Sequence, residues 1–185
     1  RTCCVGINNR KAARIAGRLM GQFLGGTGKI AVVSSAIASE NNNYYVQVRE
    51  TEFADFIHKE YPDIEIITTL DSFEDPQITY EKTVKLLRDY QDLQGIYITC
   101  GGVSQVGRAL EESGRAKDIR VISFEDYPEV VDLIRKDVID CTLAGELQQQ
   151  GEIPVQIIMD YLVFGKEPEQ QQIFTDIRVL VKESL

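Results

Sequence analysis

Seven residues carry groups from which a site for a small polar molecule can be built: Ser35, Asn42, Tyr44, Arg49, Thr99, Cys100 and Glu125. The stretch Asn41-Asn42-Asn43-Tyr44-Tyr45 sets carboxamides beside aromatic faces, and Arg49 follows one helical turn later. Carboxamides and a guanidinium fork are suited to hydrogen-bonding vicinal hydroxyls. An ordinary solvated loop with Arg49 paired to Glu52 or another acid uses the same residue types, so both readings stand at this point. Glu125-Asp126 directly follows an apolar run and has the chemistry for metal binding or acid–base work. No second acidic pair has a matching placement, which leaves hydrogen bonding to a hydroxylated ligand, or helix capping, as its role.

Other motifs fall away on spacing. Gly25-Gly26-Thr27-Gly28-Lys29 has Phe23 where a phosphate loop needs glycine and Ile30 where it needs Ser or Thr. It also lies between a helix and a strand, the reverse of the required order. Gly101-Gly102-Val103-Ser104-Gln105-Val106-Gly107 lies between a strand and a helix, but its spacing is not that of a dinucleotide loop. Its backbone N–H groups remain suited to polar ligand atoms. His58, the single histidine, falls at a helix end, where a cation suits the dipole, and no nucleophile elbow accompanies it. Cys3, Cys4, Cys100 and Cys141 show no zinc spacing, and Cys100 and Cys141 sit in apolar runs as small hydrophobes. The expectation is a protein without catalytic residues, metal or cofactor, with reduced thiols in a cytoplasmic setting.

The elements that must position these residues alternate. Asn9 to Leu24 has the apolar stripe of an amphipathic helix, and Lys29 to Ser34 reads as a buried strand. Helix follows from Tyr44 to Glu60, then strand from Ile64 to Thr68. Asp75-Pro76 caps a helix running to Tyr90. Strands at Gly95–Thr99, Ile119–Ser123 and Val138–Leu143 are separated by helices over Val103–Ser113 and after Tyr127-Pro128. A helix from Ile153 to Phe164 and one alternating strand from Ile173 to Val181 complete the chain. Such alternation predicts an α/β fold with a doubly wound parallel sheet. Ser35, Thr99, Cys100 and Glu125 then fall at the carboxyl ends of its strands, the edge where open sheets bind ligands.

Composition sets the outer bounds. The 185 residues include 20 Lys and Arg against 29 Asp and Glu, a formal net charge of −9, and 43% are hydrophobic. That is enough apolar material for a core and excludes whole-chain disorder. No apolar run has the ~18 residues of a membrane span. The negative charge argues against this polypeptide gripping nucleic acid unaided.

Five segments, in order, resemble the effector-binding domain of LacI-type transcriptional regulators, which shares its fold with periplasmic sugar-binding proteins. They are Val5-Gly6-Ile7-Asn8-Asn9, Arg49-Glu50-Thr51-Glu52-Phe53, Ile96 to Cys100 with Val106 to Gly114, Val121-Ile122-Ser123-Phe124-Glu125, and Val138 to Leu143 with Gln150-Gly151. Asn8 replaces the family's acid, Glu52 its glycine, and Gly145 stands where a glutamine is usual. The resemblance implies a Rossmann-like lobe of a periplasmic-binding-protein-like type I fold, truncated at its N-terminus. Residues 1–150 would form the C-terminal lobe and 151–185 a helix and strand returning toward a mostly absent N-terminal lobe. Arg49 would hold ligand hydroxyls, Glu125 would accept hydrogen bonds from them, and Thr99 or Cys100 would contribute from the strand between. The implied function is sugar sensing by a homodimeric repressor whose DNA contacts come only from an absent helix-turn-helix head. Two alternatives accompany it: a solute-binding protein of a sugar ABC transporter, and a small α/β enzyme. With one wall of the cleft missing, residues 1–185 alone are expected to bind ligand weakly.

Overall fold

The computed structural model describes residues 3–35 and 44–185. In chain order the elements are β1 (Cys4–Ile7), α1 (Asn9–Phe23), β2 (Thr27–Ser34), α2 (Tyr44–Glu60), β3 (Asp63–Asp71), α3 (Pro76–Asp89) and β4 (Leu93–Ile98). They continue with α4 (Val103–Ser113), β5 (Arg120–Phe124), α5 (Pro128–Arg135), β6 (Cys141–Gly145), α6 (Leu147–Phe164), β7 (Gln172–Thr175) and β8 (Ile177–Leu180). Local chemistry fixes the helix starts. The Asn8 side chain accepts from the Lys11 N–H at 3.0 Å to open α1. Asp75 does the same for Ile78 at 2.8 Å, with Pro76 at the first helical position of α3.

Six strands form the main sheet in the order β3-β2-β4-β5-β6-β8. The first five are mutually parallel, and β8 joins β6 antiparallel. Because β3 lies to one side of β2 and β4 to the other, the winding reverses there, and the helices divide between two faces. On one face α1 and α2 bring Ala12, Ala16, Met20, Phe53 and Ile57 against Ile30, Val32, Tyr97 and Ile122. On the other, α3, α4 and α5 bring Leu86, Val106, Leu110 and Ile134 against Ala31, Val33, Ile96 and Ile98. Successive residues of β2 and β4 thus alternate between two apolar layers, which is why these strands read as continuous apolar runs. The doubly wound α/β architecture is as the alternation predicts.

Several boundaries differ, among them β3 (Asp63–Asp71) and β6 (Cys141–Gly145), each shifted from its expected bounds. The run Ile173–Val181 is not one strand: it breaks at Asp176, β7 pairing in parallel with β1 in a separate two-stranded sheet and β8 crossing to the main one. The period-two pattern passes through that crossing unchanged, so it carries no mark of the break. The opening strand accordingly lies outside the main sheet. Helix α6 begins at Leu147, not Ile153, because its first turns are the polar Gln148-Gln149-Gln150 and show no apolar stripe.

Tyr97 gives this core a measurable oddity. Its ring is fully buried and stacks on Phe53 with centroids 4.0 Å apart, yet its hydroxyl has no hydrogen-bond partner among the described residues. Burial drives the phenol well above its ordinary pKa, so it stays neutral. An orphaned buried hydroxyl costs stability. Tyr97→Phe keeps the stack and removes the orphan, and is expected to raise the urea unfolding free energy by about 1 kcal/mol. A decrease would show that the hydroxyl has a partner in solution.

Candidate functional site

A cleft of about 690 Å³ opens at the carboxyl edge of the main sheet, beside the point where the winding reverses. Its walls come from β1, the first turn of α2, the loop after β3, the ends of β4, β5 and β6, and the start of α4. Arg49, on α2, is its central cation. Its Nε donates to Asn9 Oδ1 at 2.7 Å and its Nη1 to the Thr99 carbonyl at 3.1 Å. Its Nη2 lies 3.6 Å from a Glu125 carboxylate oxygen, and the guanidinium stacks on the Phe124 ring at 3.9 Å. Burial pulls the guanidinium below its usual pKa, opposed by the neighbouring Glu125 carboxylate. The Arg49 side chain is only 12% exposed, whereas Glu125 is 33% exposed and keeps acceptor capacity toward the cleft.

Glu125 occupies the left-handed backbone region at φ 69°. The local fold holds it there: its N–H donates to the Leu143 carbonyl at 2.8 Å and its carbonyl accepts from Thr142 Oγ1 at 2.7 Å. Strained non-glycine backbone at a strand end, anchored on both sides, aims one carboxylate into the cleft. On the facing wall, Gly102 opens α4 at φ 92°, and a Cβ there would lie 2.8 Å from Thr79 Cγ2. That glycine brings Gly101 to Ser104, and with them a helix N-terminus, to the cleft surface.

The predicted residues sort as follows. Arg49, Cys100 and Glu125 line the cleft together. Thr99 is buried, its hydroxyl donating to the Val33 carbonyl at 3.2 Å, so it meets the site through its own carbonyl on Arg49. Ser35 follows β2 and lies outside the cleft lining, and Tyr44 is exposed, its place in the wall taken by Tyr45. Asn42 lies outside the described residues. Arg49 pairs with Glu125, while Glu52 is held by Arg10 and Arg14 of α1. Asn9, Tyr45, Glu74 and Gln150 also line the cleft. Glu74 sits in a two-residue turn at φ 55° and Gln150 in a polar run, so neither stands out in the sequence. Cys100 is pushed up to about 11 by burial, opposed by its hydrogen bond to Ser72, and Cys141 to about 12, again by burial. Burial thus keeps both thiols in the protonated form at pH 7. Among the described residues no cluster of His, Cys, Asp and Glu has the arrangement to hold a metal ion.

A cleft at the reversal of a doubly wound sheet, with a guanidinium and a carboxylate set side by side, is an arrangement for binding a polar, uncharged molecule. Comparison with known families decides which kind of fold this is: residues 1–167 match the model described as a periplasmic binding protein domain. The chain belongs to that family. Among solved structures, this binding-protein domain is similar to GanP, a glucose-galactose binding protein from Geobacillus stearothermophilus. The TM-score is 0.88 at 24% identity, over 100% of this chain and 64% of that one. It is similar at 28% identity and TM-score 0.87 to the sugar-binding protein of a sugar ABC transporter from Bacillus halodurans, over 98% and 64% of the two chains. A solute-binding protein of an ABC transporter from Burkholderia graminis, in complex with D-arabinose, matches at TM-score 0.88 and 21% identity, over 99% and 63%. The chain thus spans less than two thirds of the length of these structures. A search of curated protein sequences returns no significant match. Among the described residues no helix is long and apolar enough to cross a membrane.

Proposed function

We propose that this chain is the larger part of a sugar-binding protein serving an ABC transporter, holding a neutral monosaccharide without turning it over. The observation that carries the proposal is the Arg49–Glu125 pair at the cleft. Arg49 is fixed by Asn9 and the Thr99 carbonyl, and the pair presents donors and an acceptor toward adjacent hydroxyls. The family match and the similarity to sugar-binding proteins of transporters support this reading over a LacI-type repressor. The proposed transport role would have the protein meet external solute, whereas the repressor reading keeps the cytoplasmic expectation from its thiols.

The same proposal gives α6 and the small sheet a role. Among the 18 residues of α6 none is buried, and Ile158, Leu162 and Phe164 are exposed. An apolar helix left uncovered marks a protein surface to be covered. In this reading α6 and the β1–β7 pair belong to a second lobe that closes the other side of the cleft. The function is tested by titrating the natural-length protein with D-galactose, D-glucose and D-arabinose in a calorimeter. Saturable binding of at least one sugar, with no product formed, is expected. Failure to bind all three counts against the proposal, and specific binding to duplex DNA would return the repressor.

A further inference from the structure

Gly145 ends β6 at the same sheet edge as Cys100 and Glu125, and it is buried. Its φ is not in the left-handed region, so backbone conformation does not explain a glycine there. Space does. A Cβ on Gly145 would lie 2.3 Å from Gln150 Nε2 and 2.5 Å from Ile7 Cγ2. The carboxamide of Gln150, from the first turn of α6, already fills the volume that a side chain at 145 would use.

The three consecutive glutamines of α6 differ in what they do. Gln148 donates to Glu152 at 2.7 Å, and Gln149 accepts the Asp176 N–H at 3.4 Å. Gln150 lines the cleft, half-buried, and its carboxamide makes no hydrogen bond with any described residue. An amide that is partly withdrawn from water, faces a cavity and has no partner among the described residues can offer its donors and acceptor to a ligand.

We propose that Gln150 is a specificity-determining residue of the cleft, and that Gly145 is glycine so that this carboxamide can enter. The inference rests on the sugar-binding reading and deepens it. The amide oxygen accepts from one hydroxyl and the amide nitrogen donates to its neighbour, a bidentate grip on a vicinal diol. Arg49 and Glu125 supply the corresponding groups from α2 and the end of β5. The ligand class is therefore a neutral polyol with adjacent hydroxyls facing the β6 end of the cleft. A sugar lacking one of those hydroxyls leaves the amide half-paired and is disfavoured.

The test uses the natural-length protein and calorimetric titration with D-galactose, D-glucose and D-arabinose, alongside thermal melts. Gln150→Leu keeps the volume and removes both hydrogen-bonding atoms. For whichever sugar the unaltered protein binds, affinity is expected to fall about 10-fold with an unchanged melting temperature. Gly145→Ala, by displacing the amide, is expected to weaken the same sugar similarly, and the double variant to be no worse than either single one. Binding by Gln150→Leu at the affinity of the unaltered protein, with sugar binding otherwise intact, overturns the role of Gln150 alone. Absence of binding by the unaltered protein overturns the sugar reading, and this inference falls with it. If Gly145→Ala does not fold, Gln150→Leu decides the matter.

Discussion

Replacing Arg49 with alanine is expected to weaken sugar binding by about 100-fold or more and to destabilise the fold as well. The guanidinium holds three acceptors: Asn9 Oδ1 at 2.7 Å, the Thr99 carbonyl at 3.1 Å and the Glu125 carboxylate at 3.6 Å. Removing it deletes the donors offered to the ligand and leaves Glu125, only 33% exposed, without its countercharge. Truncating one partner of such a pair costs about 2–5 kcal/mol, much of it from the charge left behind. Part of that penalty is present in the free protein and lowers the urea midpoint; the rest appears as lost affinity. Arg49→Lys keeps the charge but cannot place three donors in one plane, so it is expected to rescue stability better than binding. In Arg49→Ala/Glu125→Gln the stranded charge is gone, and the combined loss of stability should be smaller than the sum of the two single losses. Calorimetric titration and urea unfolding on the unaltered protein, the two Arg49 variants, Glu125→Gln and the double variant separate these contributions. Affinity in Arg49→Ala within about threefold of the unaltered protein would remove the guanidinium from the site.

Much of this arrangement is legible in the sequence because it is local. The bounds of α2, Tyr44–Glu60, coincide with the periodicity, since polar residues precede it and Tyr61-Pro62 ends it. Cys100 and Glu125 are identifiable because each follows an apolar strand, and the edge of the sheet follows from the winding. What is illegible is long-range. The pairing of Cys4 with Gln172 joins opposite ends of the chain, and no periodicity encodes it. The exit of β7 from the main sheet is hidden by the continued alternation through Asp176. Tyr44 and Tyr45 are indistinguishable as neighbouring aromatics until the helix is set, when only Tyr45 faces the cleft. Gln150 is meaningful only once Gly145 is seen to lack the side chain that would exclude it.

The second large effect concerns the helix that carries Arg49. Phe53 lies one turn further along α2, so the two side chains share a face, and Phe53 is wholly buried against the main sheet. Its ring stacks on Tyr97 with centroids 4.0 Å apart and planes inclined by 21°, within the layer formed by Ala12, Ala16, Met20 and Ile30. Phe53→Ala deletes that contact and leaves a cavity that small, already packed alanines cannot fill. The expected cost is about 3–5 kcal/mol, read from the urea midpoint. That is a large share of the roughly 5–15 kcal/mol that ordinarily separates a folded domain from its unfolded chain. Phe53→Leu, which restores most of the volume, is expected to recover more than half of the loss. Because the cavity opens beneath Arg49, sugar affinity should fall even at temperatures where Phe53→Ala is fully folded. Loss of stability with unchanged affinity would show that Asn9 and the Thr99 carbonyl hold the guanidinium without help from the packing beneath it. A stability cost under about 1.5 kcal/mol would mean that α2 is anchored elsewhere along its length.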